Sequence, residues 1–553
     1  MDSVLEKFGA SRPKDTTMPV LRVPEFTLHQ GEAVALLGPT GSGKSLLLRS
    51  LVGRVGDGIE LKGKTKFFSS VEKARVQFVD GNEEFFSQVK AVEPVEFHSK
   101  LCDETLSQSQ AHELATQELL DLGIAAEKHQ NAAYTLSGGQ LRRLSVACKA
   151  VMRPAVLCMD EPTSGLDHDA AHNIGVMAHR LAKKDNMAII CSLQQPDVTL
   201  LRCFDRLVFM KDGDVYVDGD EATCRAHFGL QDVKDEVWAE RAIIQMSTES
   251  RPPMQKKPDI IVESDDLRRL HHSPRCSLFE TVWQLTKRSF TNRWLRTPGA
   301  TIGAFLIRYL LLPLTLSILV VNIGNEDPEY FNRSGLIFVY CSSITFSSLL
   351  SGAVNFPTQR KSIVDEIDAG MYSPLAYLLS QWYTNNLIED FIGNVLGSIA
   401  LKYIAALDAN LGIIIAASFV TSQTAEGLGF ICGLNKALSV ASGLTVLILM
   451  PFMMGGDTIV TTDQVLRVPI LRVFEALSTI RYSYLIIFWS ELREGTPTLA
   501  DAVAIDTSFG LQAYPVAWYE DSTLWPVFVC YMVLVRFVTV FIYGRVICPK
   551  CND

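Results

Sequence analysis

The sequence predicts two parts of different fold class: an α/β domain comes first, and an all-α membrane domain of six helices follows. Short apolar segments alternate with helical ones up to about residue 230, and long apolar runs begin after about residue 300. The mean hydropathy of +0.17 is high for a chain with 20% charged residues, so apolar residues are concentrated in one part. We expect domains at 1–245 and 278–553, joined by a Ser-, Pro- and charge-rich linker at 246–277.

The α/β domain is predicted from three apolar segments of strand length. These are VALL at 34–37, AVLCM at 155–159 and MAIICSL at 187–193. Because each is apolar along its whole length, we expect buried strands of a covered sheet.

Composition excludes some classes of protein. A net charge of −10 and the lack of a basic stripe argue against nucleic-acid binding. The 12 cysteines are scattered, so we expect no disulfide framework and a reducing, cytosolic environment. The first residues, MDSVLEKFGASRPKD, lack the apolar core of a signal peptide, so membrane insertion is expected to depend on internal helices.

A glycine-rich segment lies between the first predicted strand and the apolar helix LLLRSLVG, with the spacing of a P-loop. Its glycines allow successive backbone N–H groups to face one anion, Lys44 reaches the terminal phosphates, and the Ser45 hydroxyl can ligate Mg²⁺. The predicted nucleotide-binding residues are Gly38, Pro39, Thr40, Gly41, Ser42, Gly43, Lys44 and Ser45.

Two further segments complete the predicted nucleotide site. Asp160 and Glu161 end the strand AVLCM, where Asp160 can hold Mg²⁺ and Glu161 can polarise an attacking water. Between this pair and the P-loop, LSGGQLRR forms a second glycine turn that opens a helix and offers another anion site. The residues predicted there are Ser137, Gly138, Gly139 and Gln140.

Together these segments resemble the nucleotide-binding domain of ABC ATPases. LSGGQ resembles the family signature, and it follows GPTGSGKS and precedes CMDEPTSGLD in the family order. The resemblance implies an ABC-type P-loop ATPase that uses ATP and Mg²⁺. It also implies a head-to-tail dimer in which ATP lies between one subunit's P-loop and the signature residues Ser137 and Gly139 of the other.

The domain order resembles the G subfamily, the half-transporters of white, sterol and multidrug type. VWQLTKRSFTNRWLRTP is similar to the connecting helix of that family, and RKSIVDEIDAGMYSPLAYLLS, with Glu366, Gly370 and Tyr372, to its elbow. EALSTIRYSYLIIFWSEL is similar to a segment that dips back into the outer leaflet. The resemblance implies an ATP-hydrolysing transporter that works as a homodimer, or as a heterodimer with another G-type half-transporter.

Two positions depart from the family pattern. Gly81 stands where the Q-loop Gln is expected, with Gln77, Asp80 and Asn82 nearby, and Gln194 stands where the switch His is expected. A Gln amide can donate a hydrogen bond but cannot become cationic. We therefore predict slow hydrolysis, or a heterodimer with one catalytic site; the first halves of pleiotropic-drug-resistance members similarly lack the switch His.

Six membrane spans are predicted from apolar stretches of roughly 20 residues. They begin near Thr301, Ser334, Leu387, Leu411, Leu438 and Leu524. Basic residues flank the inner ends, so the positive-inside rule predicts both termini in the cytosol. These basic residues are Arg293, Arg296, Arg360, Lys361, Lys436, Arg545 and Lys550.

A surface helix is predicted just before the first span. Leu278, Val282 and Leu285 recur at helical spacing opposite Lys287 and Arg288, which predicts an amphipathic helix on the cytoplasmic membrane surface.

Within the spans, Phe346 matches the aromatic residue that contacts the apolar substrate in the family; contact with lipid or with another helix is the other interpretation. Arg536 lies mid-span, where a charge needs a partner, and Glu389 or Asp390 is the expected one.

The leading hypothesis is ATP-driven export of lipids, sterols or amphipathic small molecules across a plasma or organellar membrane. The alternative is an ATP-binding, weakly hydrolysing regulatory or structural half of a heterodimeric transporter. Gly81 and Gln194 are the observations that keep this alternative open.

Overall fold

A computed structural model describes residues 27–52, 76–80, 89–194, 197–234, 237–248, 276–307, 315, 331–435, 437–454, 473–474, 476–495 and 521–547. Gly81, Asn82, Lys436, Lys550 and most of the predicted linker lie outside these residues. The chain divides into two compact units, Met1–Ser273 and Pro274–Asp553.

The first unit is built on a six-stranded sheet of order β2-β3-β4-β1-β5-β6. The strands are β1 (Ala33–Leu37), β2 (Val76–Val79), β3 (Val156–Met159), β4 (Ala188–Ser192), β5 (Arg206–Lys211) and β6 (Asp214–Gly219). β6 pairs antiparallel with β5, and the other pairings are parallel. The three segments predicted as strands form β1, β3 and β4, which confirms the α/β prediction.

Every residue of β1 to β4 is buried, so both faces of this part of the sheet are covered. Side chains from neighbouring strands, among them Leu36, Val208 and Ile190, share one apolar cluster with Leu48. The described helices of this unit are α1 (Lys44–Leu51), α2 (Val92–Cys102), α3 (Gln108–Asp121), α4 (Gly138–Ala150), α5 (His168–Asp185), α6 (Val198–Leu201), α7 (Glu221–Phe228) and α8 (Trp238–Thr248).

The second unit is helical in its described residues. Its helices are α9 (Leu278–Phe290), α10 (Pro298–Leu306), α11 (Phe331–Asp368), α12 (Pro374–Gln381), α13 (Phe391–Ile404), α14 (Leu411–Cys432), α15 (Leu438–Met454), α16 (Thr479–Gly495) and α17 (Asp521–Ile547). π-Helical turns at Thr291–Arg296 and Trp382–Asp390 follow α9 and α12.

Three described helical segments are long and apolar enough to cross a membrane: Asn332–Pro357, Leu411–Cys432 and Leu524–Arg545. Phe391–Ile404 and Leu438–Met453 are shorter apolar helices. These five lie at predicted spans, and the span predicted near Thr301 begins in α10 and is mostly outside the described residues.

Close packing of α11 against α14 depends on glycine. A Cβ on Gly429 would lie 2.2 Å from the carbonyl oxygen of Leu349, and a Cβ on Gly352 would lie 2.5 Å from that of Glu426. Small residues allow two helix backbones to approach in this way, which is a common source of association between membrane helices.

Helix α16 is buried along most of its length. Glu491, which is fully buried, accepts hydrogen bonds from Arg333 and from the Ala409 N–H, both at 2.6 Å, and Tyr484 bonds to Ser334 at 2.8 Å. The segment that resembles a re-entrant element is therefore held on α11 and on the turn before α14.

The prediction that Glu389 or Asp390 is the partner of Arg536 is wrong. Its guanidinium lies 3.3 Å from Glu426 and 3.0 Å from the Gln423 side chain, both on α14. Glu389 instead pairs with Arg293 at 2.9 Å, and Asp390 accepts a hydrogen bond from Gln423. Sequence spacing could not identify Glu426, because the pairing depends on how α14 and α17 pack.

The predicted apolar face of α9 also differs from the observed one. Leu285 is buried, and Arg288 bonds to both carboxylate oxygens of Glu366, at 2.7 and 2.8 Å. Leu278 of the predicted face is exposed, at 49%, but the most exposed apolar side chains of α9 are Phe279 and Trp283, at 81% and 52%. The helix is amphipathic, but packing against the elbow selects a different stripe.

Candidate nucleotide-binding site

The segment from Gly38 to Ser45 forms the turn between β1 and α1. Gly43 precedes the helix with a φ of 101°, in the left-handed region that favours glycine. Gly38 has a φ of 145°, and a Cβ there would lie 2.2 Å from the carbonyl oxygen of Met210. The turn thus brings the first N–H groups of α1 to the carboxyl edge of the sheet, where the sequence predicts phosphate binding.

Lys44 is a buried cation at the start of α1. Its ammonium donates to the carbonyl oxygens of Gly38 at 2.7 Å and Pro39 at 3.2 Å. Burial lowers the pKa of Lys44, and the carboxylates of Glu161 and Asp160 raise it only in part. A positive charge held among neutral carbonyl oxygens is suited to receive an anion.

Asp160 lies directly opposite the P-loop serine. The Ser45 hydroxyl donates to Asp160 Oδ1 at 2.9 Å, although 115 residues separate them. A hydroxyl and a carboxylate side by side are the hard oxygen ligands that Mg²⁺ prefers. The donor set therefore fits the magnesium ion that the P-loop implies.

Glu161 follows Asp160 with an unusual backbone. Its φ of 49° is rare for a residue other than glycine. The side-chain amide of Gln194 donates to Glu161 Oε1 at 2.5 Å. The residue in the switch position thus contacts the residue predicted to polarise water, and it does so as a neutral donor.

Ser192 is a part of the site that the sequence analysis missed. It is fully buried at the end of β4, donates to Asp160 Oδ1 at 2.7 Å, and accepts the Glu161 N–H at 2.8 Å. The parallel register pairs Met159 with Cys191, so Ser192 comes beside Asp160. Its position at the end of the predicted strand 187–193, two residues before Gln194, was the available signal.

The signature segment begins α4. Ser137 is the N-cap of this helix: its hydroxyl accepts the Gln140 N–H at 3.3 Å, and the Gln140 side chain accepts the Ser137 N–H at 3.1 Å. Among the described residues, no hydrogen bond joins Ser137, Gly138, Gly139 or Gln140 to the P-loop. At this helix start Ser137 and Gly138 are exposed, Gln140 is partly exposed and Gly139 is buried.

Phe346, the predicted substrate contact, lies on α11 in the second unit and is 38% exposed. Gly81, the Q-loop departure, lies outside the described residues, whereas Gln77 is buried in β2.

Comparison with known proteins agrees with this architecture. The ABC transporter family model matches residues 21–164, and the ABC-2 type transporter model matches residues 280–492. ABC transporter G family member 21 of Arabidopsis thaliana is 22% identical over 81% of this chain and 74% of its own length. Member 7 of the same family and organism is 25% identical over 76% of this chain and 62% of its own length.

The nucleotide-binding unit alone also has a more similar relative. The phosphonates import ATP-binding protein PhnC of Escherichia coli (strain UTI89) is 30% identical over 36% of this chain and 82% of its own length. The sheet, the P-loop turn and this similarity define the class of the first unit, an ABC ATPase domain, which binds ATP.

The chain belongs to the ABC transporter family. Because its ATPase domain comes first and an ABC-2 type membrane domain follows, as the G family relatives indicate, it is a G-type half-transporter, a membrane protein of the ATP-hydrolysing class.

Proposed function

We propose that this chain pairs with a second copy of itself, or with another G-type half-transporter. The paired ATPase domains use ATP and Mg²⁺ to export lipids, sterols or amphipathic small molecules. The observation that carries the proposal is the short chain of contacts from Ser45 to Asp160 and from Glu161 to Gln194, at 2.9 and 2.5 Å. It brings the P-loop, the acidic pair and the switch position to one edge of the sheet.

Each group has a role that follows from its chemistry. The backbone N–H groups of 38–45 and the Lys44 ammonium bind the phosphates. Ser45 and Asp160 would hold Mg²⁺, which would neutralise charge on the phosphates. Glu161 orients and polarises the attacking water, and Gln194 positions the Glu161 carboxylate by donating to Oε1.

Dimerisation completes the site. The exposed Ser137 and Gly138 at the start of α4 face the nucleotide of a second ATPase domain, with Gly139 and Gln140 in the same first turn. A helix N-terminus with a serine hydroxyl and glycine N–H groups suits a phosphate. ATP bound between two domains would then draw them together and drive the membrane domains between inward-open and outward-open states.

The membrane domain is proposed to span a plasma or organellar membrane with both termini in the cytosol, on the basis of the basic residues near its inner ends. The partly exposed ring of Phe346 is proposed to contact the substrate.

A second candidate function is an ATP-binding partner that hydrolyses weakly. It is favoured by the Gln194 amide, which already occupies Oε1 of Glu161 and cannot supply positive charge to a phosphate.

The decisive experiment is ATP hydrolysis by the purified chain in lipid nanodiscs, compared with Glu161→Gln and with Glu113→Gln, a change of an exposed glutamate on α3. Removal of a general base costs roughly 10²–10⁴-fold in rate. If the unmodified chain hydrolyses ATP, and Glu161→Gln abolishes this turnover while Glu113→Gln preserves it, the proposal of an ATP-driven exporter is supported. Nucleotide binding without turnover supports the weakly hydrolysing partner.

A further inference from the structure

The end of β4 delivers two side chains to the acidic pair. Ser192 is the last residue of β4, and Gln194 lies in the bend that follows the strand. Ser192 contacts Asp160 and the backbone of Glu161, and Gln194 contacts the side chain of Glu161. Neither residue belongs to the P-loop, the acidic pair or the signature.

Ser192 bonds in two directions with one hydroxyl. Its proton goes to Asp160 Oδ1 at 2.7 Å, and its oxygen accepts the Glu161 N–H at 2.8 Å. The residue is fully buried, so no water can replace either bond without entering the core. Both acidic residues are therefore oriented by the same oxygen atom.

The two hydrogen bonds of Ser192 have two separate effects. A φ of 49° at Glu161 costs free energy in a residue with a Cβ, and an N–H bonded to a fixed acceptor holds the turn in place. The carboxylate of Asp160 receives donors from Ser45 and Ser192 on Oδ1, and the described residues give Oδ2 no donor. The two bonds to Oδ1 fix the orientation of the carboxylate, and Oδ2 can bind a cation or a water molecule of its hydration shell.

We propose that Ser192 is a positioning residue of the ATPase site, which sets the orientation of Asp160 toward the metal and of Glu161 toward the attacking water. This inference rests on the proposed ATP–Mg²⁺ site. Ser192 touches neither the nucleotide nor the water, and it acts through the two acidic residues.

The test compares Ser192→Ala with Ser192→Thr, which keeps the hydroxyl, and with Ser99→Ala. Ser99 is a matched control because it is buried in the same unit and donates only to the Glu96 carbonyl of its own helix. Ser192→Cys, which keeps the side-chain volume but is a weak donor, takes the place of Ser192→Ala if that variant fails to fold.

Two properties of the full chain in nanodiscs are measured: ATP turnover, and Mn²⁺ affinity by electron paramagnetic resonance in the presence of a non-hydrolysable ATP analogue. Loss of an outer partner of a metal ligand costs about 10–100-fold in affinity or activity. We expect losses of that size in Ser192→Ala, near-normal values in Ser192→Thr, and no change in metal-free nucleotide binding.

The two readouts separate this inference from the proposed function. If the unmodified chain shows no turnover but Ser192→Ala weakens Mn²⁺ binding, the positioning role holds and the exporter hypothesis fails. If Ser192→Ala equals Ser99→Ala in Mn²⁺ affinity and in any turnover, or if Ser192→Thr is as impaired as Ser192→Ala, the positioning role is overturned.

Discussion

The two units treat charged side chains in opposite ways. In the ATPase unit, the charged side chains of the candidate site form hydrogen bonds with neutral groups. Lys44 bonds to carbonyl oxygens, Asp160 to hydroxyls and Glu161 to an amide. In the membrane unit, the buried carboxylates Glu426 and Glu491 are bonded to arginines. In the ATPase unit the side-chain charges are not neutralised by these bonds and can interact with a charged ligand. In the membrane unit the carboxylate charges are neutralised by arginines of the same chain.

The difference follows from what each unit meets when it works. A site for ATP and Mg²⁺ receives strong charges of both signs, so an internal ion pair would have to be broken before binding. A membrane interior offers neither water nor a charged ligand, and an unpaired charge there is costly. Removing one charge should therefore affect stability in the membrane unit and function in the ATPase unit.

The largest effect is expected at Arg536. Arg536→Leu leaves Glu426 buried beside Gln423 without its cation, and breaking a buried pair costs about 3–5 kcal/mol. Thermal unfolding of the detergent-solubilised chain should show this loss.

Two further variants check that cause. The double change Arg536→Leu and Glu426→Leu should recover most of the stability, because no buried charge remains. Arg545→Leu, on the same helix but with its guanidinium 4.2 Å from the Phe541 ring, should lose far less. Equal losses of stability for Arg536→Leu and Arg545→Leu would contradict the idea that the membrane unit depends on paired buried charges.

A smaller effect, of the opposite kind, is expected at Lys44. Lys44→Met removes a buried cation whose pKa burial already lowers, so stability without nucleotide should be unchanged or higher. ATP affinity should fall about 10–100-fold, since a hydrogen bond to a charged group contributes roughly 1.5–3 kcal/mol. Titration with a fluorescent ATP analogue and calorimetry measure the two properties, and a large loss of stability would contradict the comparison.

Glu118 on α3 tests whether the ATPase unit tolerates a charge without an ion-pair partner away from the nucleotide site. Burial, then Asp185, raises the pKa of Glu118 from about 4.5 to about 7. The folded state therefore favours the protonated acid, and stability should fall as the pH rises from about 4.5 to 7.

Glu118→Gln should remove this pH dependence. At pH 8 the variant should be more stable than the unmodified chain by about 1–2 kcal/mol, since one pKa unit corresponds to about 1.4 kcal/mol and the carboxyl is partly solvated. At pH 4.5 the two should be equal. Calorimetric unfolding at both pH values tests this, and a constant difference would show that Glu118 stays charged in the fold.

The smallest effect concerns Gln194. Gln194→His supplies a donor that can become cationic near the transferred phosphate, so turnover should rise by about 10-fold. Gln194→Leu, which removes the donor to Glu161, should lower turnover instead. Phosphate release assays between pH 6 and 8 measure both, and a fall in turnover of Gln194→His would mean that the neutral amide is the better partner of Glu161.

Much of the local geometry of the candidate nucleotide site could be predicted because its parts are formed by consecutive residues. The P-loop is a strand, a glycine turn and a helix start within consecutive residues, and the signature is a capping box that closes over four residues. Turn conformation and helix capping depend on neighbours in sequence, so their residue types reveal them.

The sequence by itself determined the domain order, the strands β1, β3 and β4, and the residues of the P-loop, signature and acidic pair. Only the tertiary structure decided that Ser192 bonds to Asp160, that Arg536 pairs with Glu426, and that α9 exposes Phe279 and Trp283. Each depends on the register or rotation of segments distant in sequence, such as the pairing of Met159 with Cys191. Register and rotation are set by the packing of whole elements, which no local pattern encodes.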